Sequence, residues 1–549
     1  MRTLICSLSL AAVAASTPPA SAAPCVHGTV APPDGTCFDT FRRPGDGKVE
    51  TYFAPRGSRL ERGLRMLSER WDPIAAATDW WRADDDLPYL PPELAALGHN
   101  GAIATARSLQ LSLATRHYDA QLPGMAPTFA QSHWQLISRP LGFATLLAWP
   151  SEGAFRTAAT ANAAATQHYH GGVPGFLGYV SALTGHADNP HPDYYCEGEP
   201  VAWLASIGQG MQGMTTIALA TGHAELLDWV SAKLDFIDAH APGSHSDAFL
   251  PDKWTADGVC LNEGPGSDNM YFARALYAAA DALGPGARGD QMILRSRMLT
   301  RANAMTLGWS SHAVLSNGLF ATHMEFDGTP HDLATTGDTK WNALYLLAEG
   351  TRHVPARAPT YLALARDHYQ ALRANAVTGL IDDTYRDDGD PSTHDGDGVI
   401  ETDAVFVAMA LLELHRAAQG VTLPAGMAPD YFQRSALGLI DAIYARRGEG
   451  AAARKLLDNS RSGDATGLTQ VALGEGTYQR LAIDTPAGGS GFAIASCSSW
   501  LVCGAPIVAA TLPTYSRVAV ALLPQGMYRV TVGANARFVT LTSNQTLTF

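Results

Sequence analysis

Positive charge is what this sequence lacks most. In 549 residues, 38 Lys and Arg stand against 52 Asp and Glu, a net charge of −14. No run or stripe of basic residues occurs, which argues against a nucleic-acid partner, because phosphate binding needs clustered Lys and Arg. Several catalytic signatures are missing as well. There is no C-x-x-C pair, no H-E-x-x-H, no G-x-S-x-G elbow and no phosphate-cradling glycine loop. A cysteine-based zinc site, a zincin, a serine hydrolase of the α/β type and a nucleotide-dependent enzyme are therefore not expected. Gly208-Gln209-Gly210 falls inside a helical pattern, where glycines permit close packing and do not make a dinucleotide fingerprint. Past the N-terminus no apolar stretch is long enough to span a bilayer, so no membrane partner is expected.

What is present begins with the first 22 residues. Arg2, an apolar run from Leu4 to Ala15 and the Ala20-Ser21-Ala22 site read as a secretory signal peptide over 1–22, placing the protein in a secreted or periplasmic setting. Cys6 leaves with that signal, and the six remaining cysteines form an even set, as expected of disulfides in an exported chain. The economical arrangement pairs Cys25 with Cys37, Cys497 with Cys503, and Cys196 with Cys260 across two successive long loops.

Residues 23–57 are rich in Pro and Gly and read as an irregular N-terminal segment. From 58 to 449 apolar residues recur at three- and four-residue spacing, predicting helix after helix. The clearest are Val201–Ala220, Ala224–Ala239, Asn269–Leu283, Trp341–Glu349, Tyr361–Asn375 and Ala404–Ala418. Several are apolar nearly all round, the mark of an inner, buried helix. Short turns follow those, and long loops follow the more amphipathic ones. Inner helices starting near 92, 131, 201, 268, 339 and 402 would alternate with outer ones near 58, 152, 223, 288, 357 and 429. The expected fold is mainly α, an (α/α)6-type toroid of helix hairpins, with an open helical solenoid as the alternative. Residues 450–549 change character. Ser516–Leu523, Met527–Val532 and Phe538–Thr542 alternate or are β-branched and predict a small C-terminal antiparallel β-module, sandwich-like.

The long loops hold the charge. Segments 169–200, 241–267, 307–338 and 377–401 contain twenty Asp and Glu but two Lys and Arg, a sum of −18. Connections this long are uncommon in compact domains and usually mark function or disorder. Eight of the eighteen histidines lie in them, with Tyr194, Tyr195, Trp254, Trp309 and Tyr385. Rings beside carboxylates suit sugars, whose C–H faces stack on aromatics while hydroxyls bond to carboxylates.

Cleaving a glycosidic bond needs one carboxyl group as acid and a second as base or nucleophile. Glu199 and Glu263 are the expected catalytic pair, with Asp382 or Asp383 as an alternative partner. Tyr194, Tyr195, Glu197, Asn262, Asp268, His170, His323 and Trp309 are expected to contact the substrate, although Asp268 could equally cap a helix. A second chemistry, β-elimination of a uronate, needs a Tyr or His base and a group that neutralises the carboxylate. Tyr194, Tyr195, His170, Asn262, His312 and His323 could supply it, but the acidic loops would repel a polyuronate. No cofactor is required by either scheme. The acid-rich stretch 387–401 reads as a solvated loop, with a structural calcium as the alternative.

Six hairpins with one long-loop face and a C-terminal β-module resemble the (α/α)-toroid carbohydrate-active enzymes, glycoside hydrolases and polysaccharide lyases among them, over roughly 58–549. The stretch from Trp203 to Ile237 looks like the helical domain of glucuronyl C5-epimerases, and Asp382-Asp383 resembles the adjacent aspartates of α-mannanases with this fold. The resemblance implies a polysaccharide or oligosaccharide substrate. Hydrolysis is the expected reaction, with elimination or uronyl epimerisation as an alternative and non-catalytic sugar binding as a further one.

Overall fold

A computed structural model describes residues 38–76, 92–107, 141, 144–148, 153–171, 195–196, 199–242, 247–255, 258–260, 264–331, 333–374, 376, 380–382, 384–386, 399–447 and 463–549. The expected signal peptide, the expected Cys25–Cys37 pair, the inner helix expected near 131 and nearly all of the 387–401 acid cluster lie outside the described residues.

The chain enters through two strands, β1 (Thr40–Arg42) and β2 (Val49–Phe53), paired antiparallel. Helix α1 (Arg59–Ala76) follows, then α2 (Pro92–Ala96), which stops at Gly98 in the left-handed region before helical residues 100–107. After α3 (Gly153–Gly171) come the short strands β3 (Tyr195–Cys196), β4 (Glu199–Pro200) and β5 (Ala202–Trp203). Four helix pairs then run through the described residues. The first is α4 (Leu204–Thr221) with α5 (Glu225–His240). Strand β6 (Lys253–Trp254) leads to the second, α6 (Asp268–Leu283) with α7 (Asp290–His312). Strand β7 (Ala334–Thr336) precedes the third, α8 (Thr339–His353) with α9 (Ala358–Ala374). Strand β8 (Thr384–Arg386) precedes the fourth, α10 (Val399–Ala417) with α11 (Tyr431–Arg447).

The periodicity placed these helices within a few residues of where they stand, because their apolar stripes are long and their turns are punctuated. Gly222, for example, closes α4 at φ 82°, a conformation that glycine adopts without Cβ strain. The first helix of each pair packs on the first helix of the next: α4 on α6, α6 on α8, α8 on α10. The second helices flank them. Gly208 makes the α4–α6 approach close, since a Cβ there would lie 3.0 Å from the Ala275 Cβ and 3.2 Å from the Phe272 Cα.

A further helix, α12 (Gly463–Leu473), falls within the span read as the β-module. Its sequence, GDATGLTQVAL, is short and rich in Gly and Thr, so its helical signal is weak. It packs through those small residues: Gly467 lies against Val405 and Met409 of α10, and Thr469 against Gly63 of α1. Beyond it, strands β9 (Tyr478–Asp484), β10 (Gly491–Cys497), β11 (Cys503–Thr511), β12 (Ser516–Pro524), β13 (Gly526–Val532), β14 (Asn535–Leu541) and β15 (Gln545–Thr548) form two sheets. Their orders are β1-β2-β12-β9-β15 and β11-β10-β13-β14. Leu481, Ile483, Ala519 and Leu523 of one sheet share a core with Phe492, Ile494, Val530 and Leu541 of the other.

Two features of this module depart from the sequence reading. The segment read as irregular supplies β1 and β2, and β2 joins β12 in parallel, Thr51 opposite Ala519. The β15–β9 pairing is parallel as well. The alternation in VETYF is masked because Glu50 is buried, held by Tyr52, Asn100 and Arg480. Among the described residues no helix is long and apolar enough to cross a membrane.

Candidate functional site

The long loops meet at the N-terminal ends of α4, α6, α8 and α10, where backbone pairing knits them side to side. β5 pairs with β6, and the Leu204 N–H donates to the Asp252 carbonyl at 2.7 Å, joining the loops before α4 and α6. The Met324 N–H donates to the Pro265 carbonyl at 2.8 Å, joining the loops before α6 and α8. β7 pairs with β8, joining the loops before α8 and α10. Disulfide Cys196–Cys260 clips the first two together, and Cys497–Cys503 closes the β10–β11 turn, as the cysteine spacing led us to expect.

Two aspartates fix this layer. Asp252 Oδ1 accepts from the Gly266 N–H and from Asn269 Nδ2, both at 2.9 Å. Its other oxygen would lie 2.1 Å from a Cβ at 266, so only glycine fits there. Asp268 accepts from the Ala205 N–H at 3.3 Å, so it caps the neighbouring α4 while standing at the start of its own helix. A carboxylate there is stabilised by the unpaired N–H groups of the helix terminus.

Below the loops, each first helix carries a second face of half-buried residues at three- or four-residue spacing. These are Gln209 and Gln212 on α4, Tyr271 and Arg274 on α6, Trp341 and Tyr345 on α8, and Phe406 and Met409 on α10. Several of them touch from one helix to the next. Gln209 Nε2 donates to the Tyr271 hydroxyl at 3.1 Å. The Arg274 guanidinium lies 3.8 Å from the centre of the Tyr345 ring and 5.3 Å from that of Tyr271, and it donates to Asn342 Oδ1 at 2.8 Å. Trp341 and Phe406 stack with ring centres 5.1 Å apart at 26°. Burial raises the pKa of Tyr345, so its phenol stays protonated. Rings, amides and one guanidinium across four helices make a surface suited to sugar faces and hydroxyls.

Asp382 precedes α10 in the chain and is 2% exposed. Its backbone carbonyl accepts from Lys340 Nζ at 3.0 Å, and Lys340 also forms an ion pair with Asp403 of α10, buried at both ends. The Leu380 carbonyl accepts from Arg373 at 3.0 Å. The 380–382 loop is thus anchored to α8, α9 and α10.

The other expected site residues fall as follows. Tyr194, Glu197, Asn262, Glu263 and Asp383 lie outside the described residues. Glu199 and Tyr195 stand in the β3–β4 hairpin, Glu199 opposite Cys196, and His170 ends α3; their side chains are not described. His323 is exposed and packs on Gly266, beside Asp252. Trp309 corrects an expectation. Helix α7 continues to His312, so Trp309 belongs to that helix and not to a loop. It is 0% exposed and edge-on to Phe249, a core ring that no sugar reaches. Of the residues that reasoning from sequence missed, Arg274, Tyr345 and Phe406 sit in mid-helix and Trp341 in the first turn of α8. Their only signal is a lone cation or ring at helical spacing in an otherwise apolar run.

No family model and no curated protein matches the sequence. Among solved structures, a D-mannose isomerase is 14% identical at a TM-score of 0.44, covering 67% of this chain and 97% of its own. A cellobiose 2-epimerase from Spirochaeta thermophila is 12% identical at 0.44, covering 71% and 98%. An inactive variant of an α-1,6-mannanase from Salegentibacter is 11% identical at 0.36, covering 67% and 96%. At these identities and scores the likenesses assign neither a family nor an activity to this chain.

Proposed function

We propose that this protein is a carbohydrate-active enzyme whose helix pairs close a ring, and that it hydrolyses glycosidic bonds of a polysaccharide or oligosaccharide bound at the long-loop end. The observation that carries this reading is the surface of Gln209, Tyr271, Arg274, Trp341, Tyr345 and Phe406 beneath the knitted loops. Glu199 and Glu263 are the proposed acid and base. Glu199 stands opposite Cys196. Cys196 is bonded to Cys260, with their Cα atoms 5.8 Å apart. Glu263 follows Cys260 by three residues, so the disulfide ties the two glutamate-bearing loops to each other, and a glycosidase needs its two carboxyl groups on neighbouring segments. Asp382, on the anchored 380–382 loop, or Asp383, next to it in sequence, is the alternative partner.

Elimination of a uronate is the second reading, favoured by Arg274 lying beside the Tyr271 phenol, a cation next to a candidate base. One screen separates them. The protein is incubated with neutral and acidic polysaccharides while reducing ends and ultraviolet absorbance are followed together. New reducing ends without the absorbance of an unsaturated sugar are expected, with Glu199→Gln and Glu263→Gln each slower by about a hundred- to ten-thousand-fold. Absorbance rising with the ends identifies a lyase. Binding without new ends, or full activity in both variants, sinks the hydrolase assignment.

A further inference from the structure

Several cations of this protein are paired with carboxylates, whereas the buried Lys233 and Lys253 lie over the rings of Trp229 and Trp203. Lys340 is paired with Asp403, Arg352 with Glu349 and Glu413, Arg416 with Glu413 and Glu93, and Arg480 with Glu50. Arg274 belongs to the ring-facing set, and it lies on the candidate sugar surface. It stands two turns into α6, about 9 Å below the loop layer at the rise of an α-helix. Among the described residues it faces no carboxylate at ion-pair distance. Its partners are one amide oxygen, of Asn342, and the faces of Tyr345 and Tyr271.

The Glu349 carboxylate acts on this guanidinium only through space, without a direct ion pair, so the contact that normally offsets the desolvation of a half-buried cation is not made. Stacking on Tyr345 fixes the guanidinium plane, and the Asn342 bond uses one of its five N–H donors, so others remain for a ligand. The planar fork matches a carboxylate with two parallel hydrogen bonds. The neighbouring rings, Tyr271, Tyr345 and Trp341, suit the apolar faces of a pyranose. We propose that Arg274 recognises the carboxylate of a uronic acid residue in the substrate; this rests on the sugar-binding reading of the same surface. The acidic loops do not forbid it. Their repulsion is screened beyond about 8 Å at physiological salt, whereas the Arg274 contact is direct and sheltered. One carboxylate per bound sugar is accommodated where a dense polyanion would be held off.

The test uses methyl glucuronide, methyl glucoside and glucose 6-sulfate as probes of the full protein, titrated by saturation-transfer NMR. Wild-type protein is expected to bind the glucuronide at least tenfold more tightly than the glucoside. Arg274→Met should erase that preference, leaving the glucuronide no tighter than the glucoside, with circular dichroism confirming the fold. Arg274→Lys, which keeps the charge and the helix but not the fork, should lose most of the preference and covers the case in which the methionine variant does not fold. Equal wild-type affinity for glucoside and glucuronide, or a preference that survives in Arg274→Met or is fully kept in Arg274→Lys, overturns the assignment and leaves the sugar reading standing. A preference for the sulfate over the glucuronide overturns the carboxylate as the ligand. Failure of wild-type protein to bind any of these sugars or the screened polysaccharides brings down both.

Discussion

Lys340 shows how single residues tie the core to the candidate site. It is 0% exposed, paired with Asp403, and donates to the Asp382 carbonyl. Replacing it with Met leaves a carboxylate buried without its cation, and breaking such a pair costs about 3–5 kcal/mol. Lys340→Met should therefore lower the urea midpoint strongly, and Lys340→Met with Asp403→Leu should recover most of the loss. A double variant as unstable as the single one contradicts this account. Two buried histidines make a second residue-scale prediction. Burial pushes His99 down to about 3 and His368 down to about 4. His99 Nδ1 accepts the Ala102 N–H and its ring stacks on Tyr52, while His368 Nε2 donates to the Lys340 carbonyl. In the unfolded chain both would titrate near 6.5. As pH falls below 6.5 the unfolded state binds protons that the folded state refuses, so stability falls. The slope is about 1.4 kcal/mol per pH unit for each histidine. Urea unfolding between pH 4 and 6.5 should show it, and His368→Gln should flatten the slope by one histidine's share. None of these roles is written in the residue type. A buried lysine reads as a surface one until its neighbours, 42 and 63 residues away, are known.

At the scale of elements, the helices were legible and their contents were not. Apolar stripes and glycine stops located α4, α6, α8 and α10 to within a few residues, apart from the first turn of α10. The rings and amides on their second faces merged into the apolar pattern, since period alone does not separate a face that packs from a face that lines a cavity. The long loops stood out by charge, yet their pairing partners come from different loops and leave no local mark. Gly208 was legible as a packing residue, and it yields a graded test. Alanine there gains helix propensity of about 1 kcal/mol but must press on the Ala275 Cβ at 3.0 Å. Gly208→Ala should be close to neutral. Gly208→Val adds two methyl groups against Phe272 and Ala275 and should cost about 1–3 kcal/mol through strain between α4 and α6. Thermal unfolding of the two variants decides it: equal loss in both would mean that backbone freedom, and not helix contact, is why glycine stands there.

At the scale of the whole molecule, the chain closes on itself. Helix α1 packs on α12, some 400 residues away, and β2 lies beside β12. Such closures are set by long-range packing, which is why the sequence marked the strands and not their parallel partners. The charge distribution, by contrast, is a global property that composition does reveal. Net charge is −14, and the four long loops, which lead in sequence to the helix ends where substrate is proposed to enter, sum to −18. The rest of the sequence is therefore slightly positive, and the loops are expected to repel anions at long range. Lowering ionic strength to about 0.01 M extends the Debye length to about 30 Å, against about 8 Å at 0.15 M. An acidic oligosaccharide should then meet the repulsion farther out, and its kcat/KM should rise several-fold as salt is restored. A neutral oligosaccharide should show no such rise. The dependence should sit in kcat/KM more than in kcat, because screening acts on the approach and not on the bound complex. Steady-state rates across that salt range, with matched neutral and carboxylate-bearing oligosaccharides, test it. Parallel salt curves for the two would mean that the acidic loops do not stand across the path to the site.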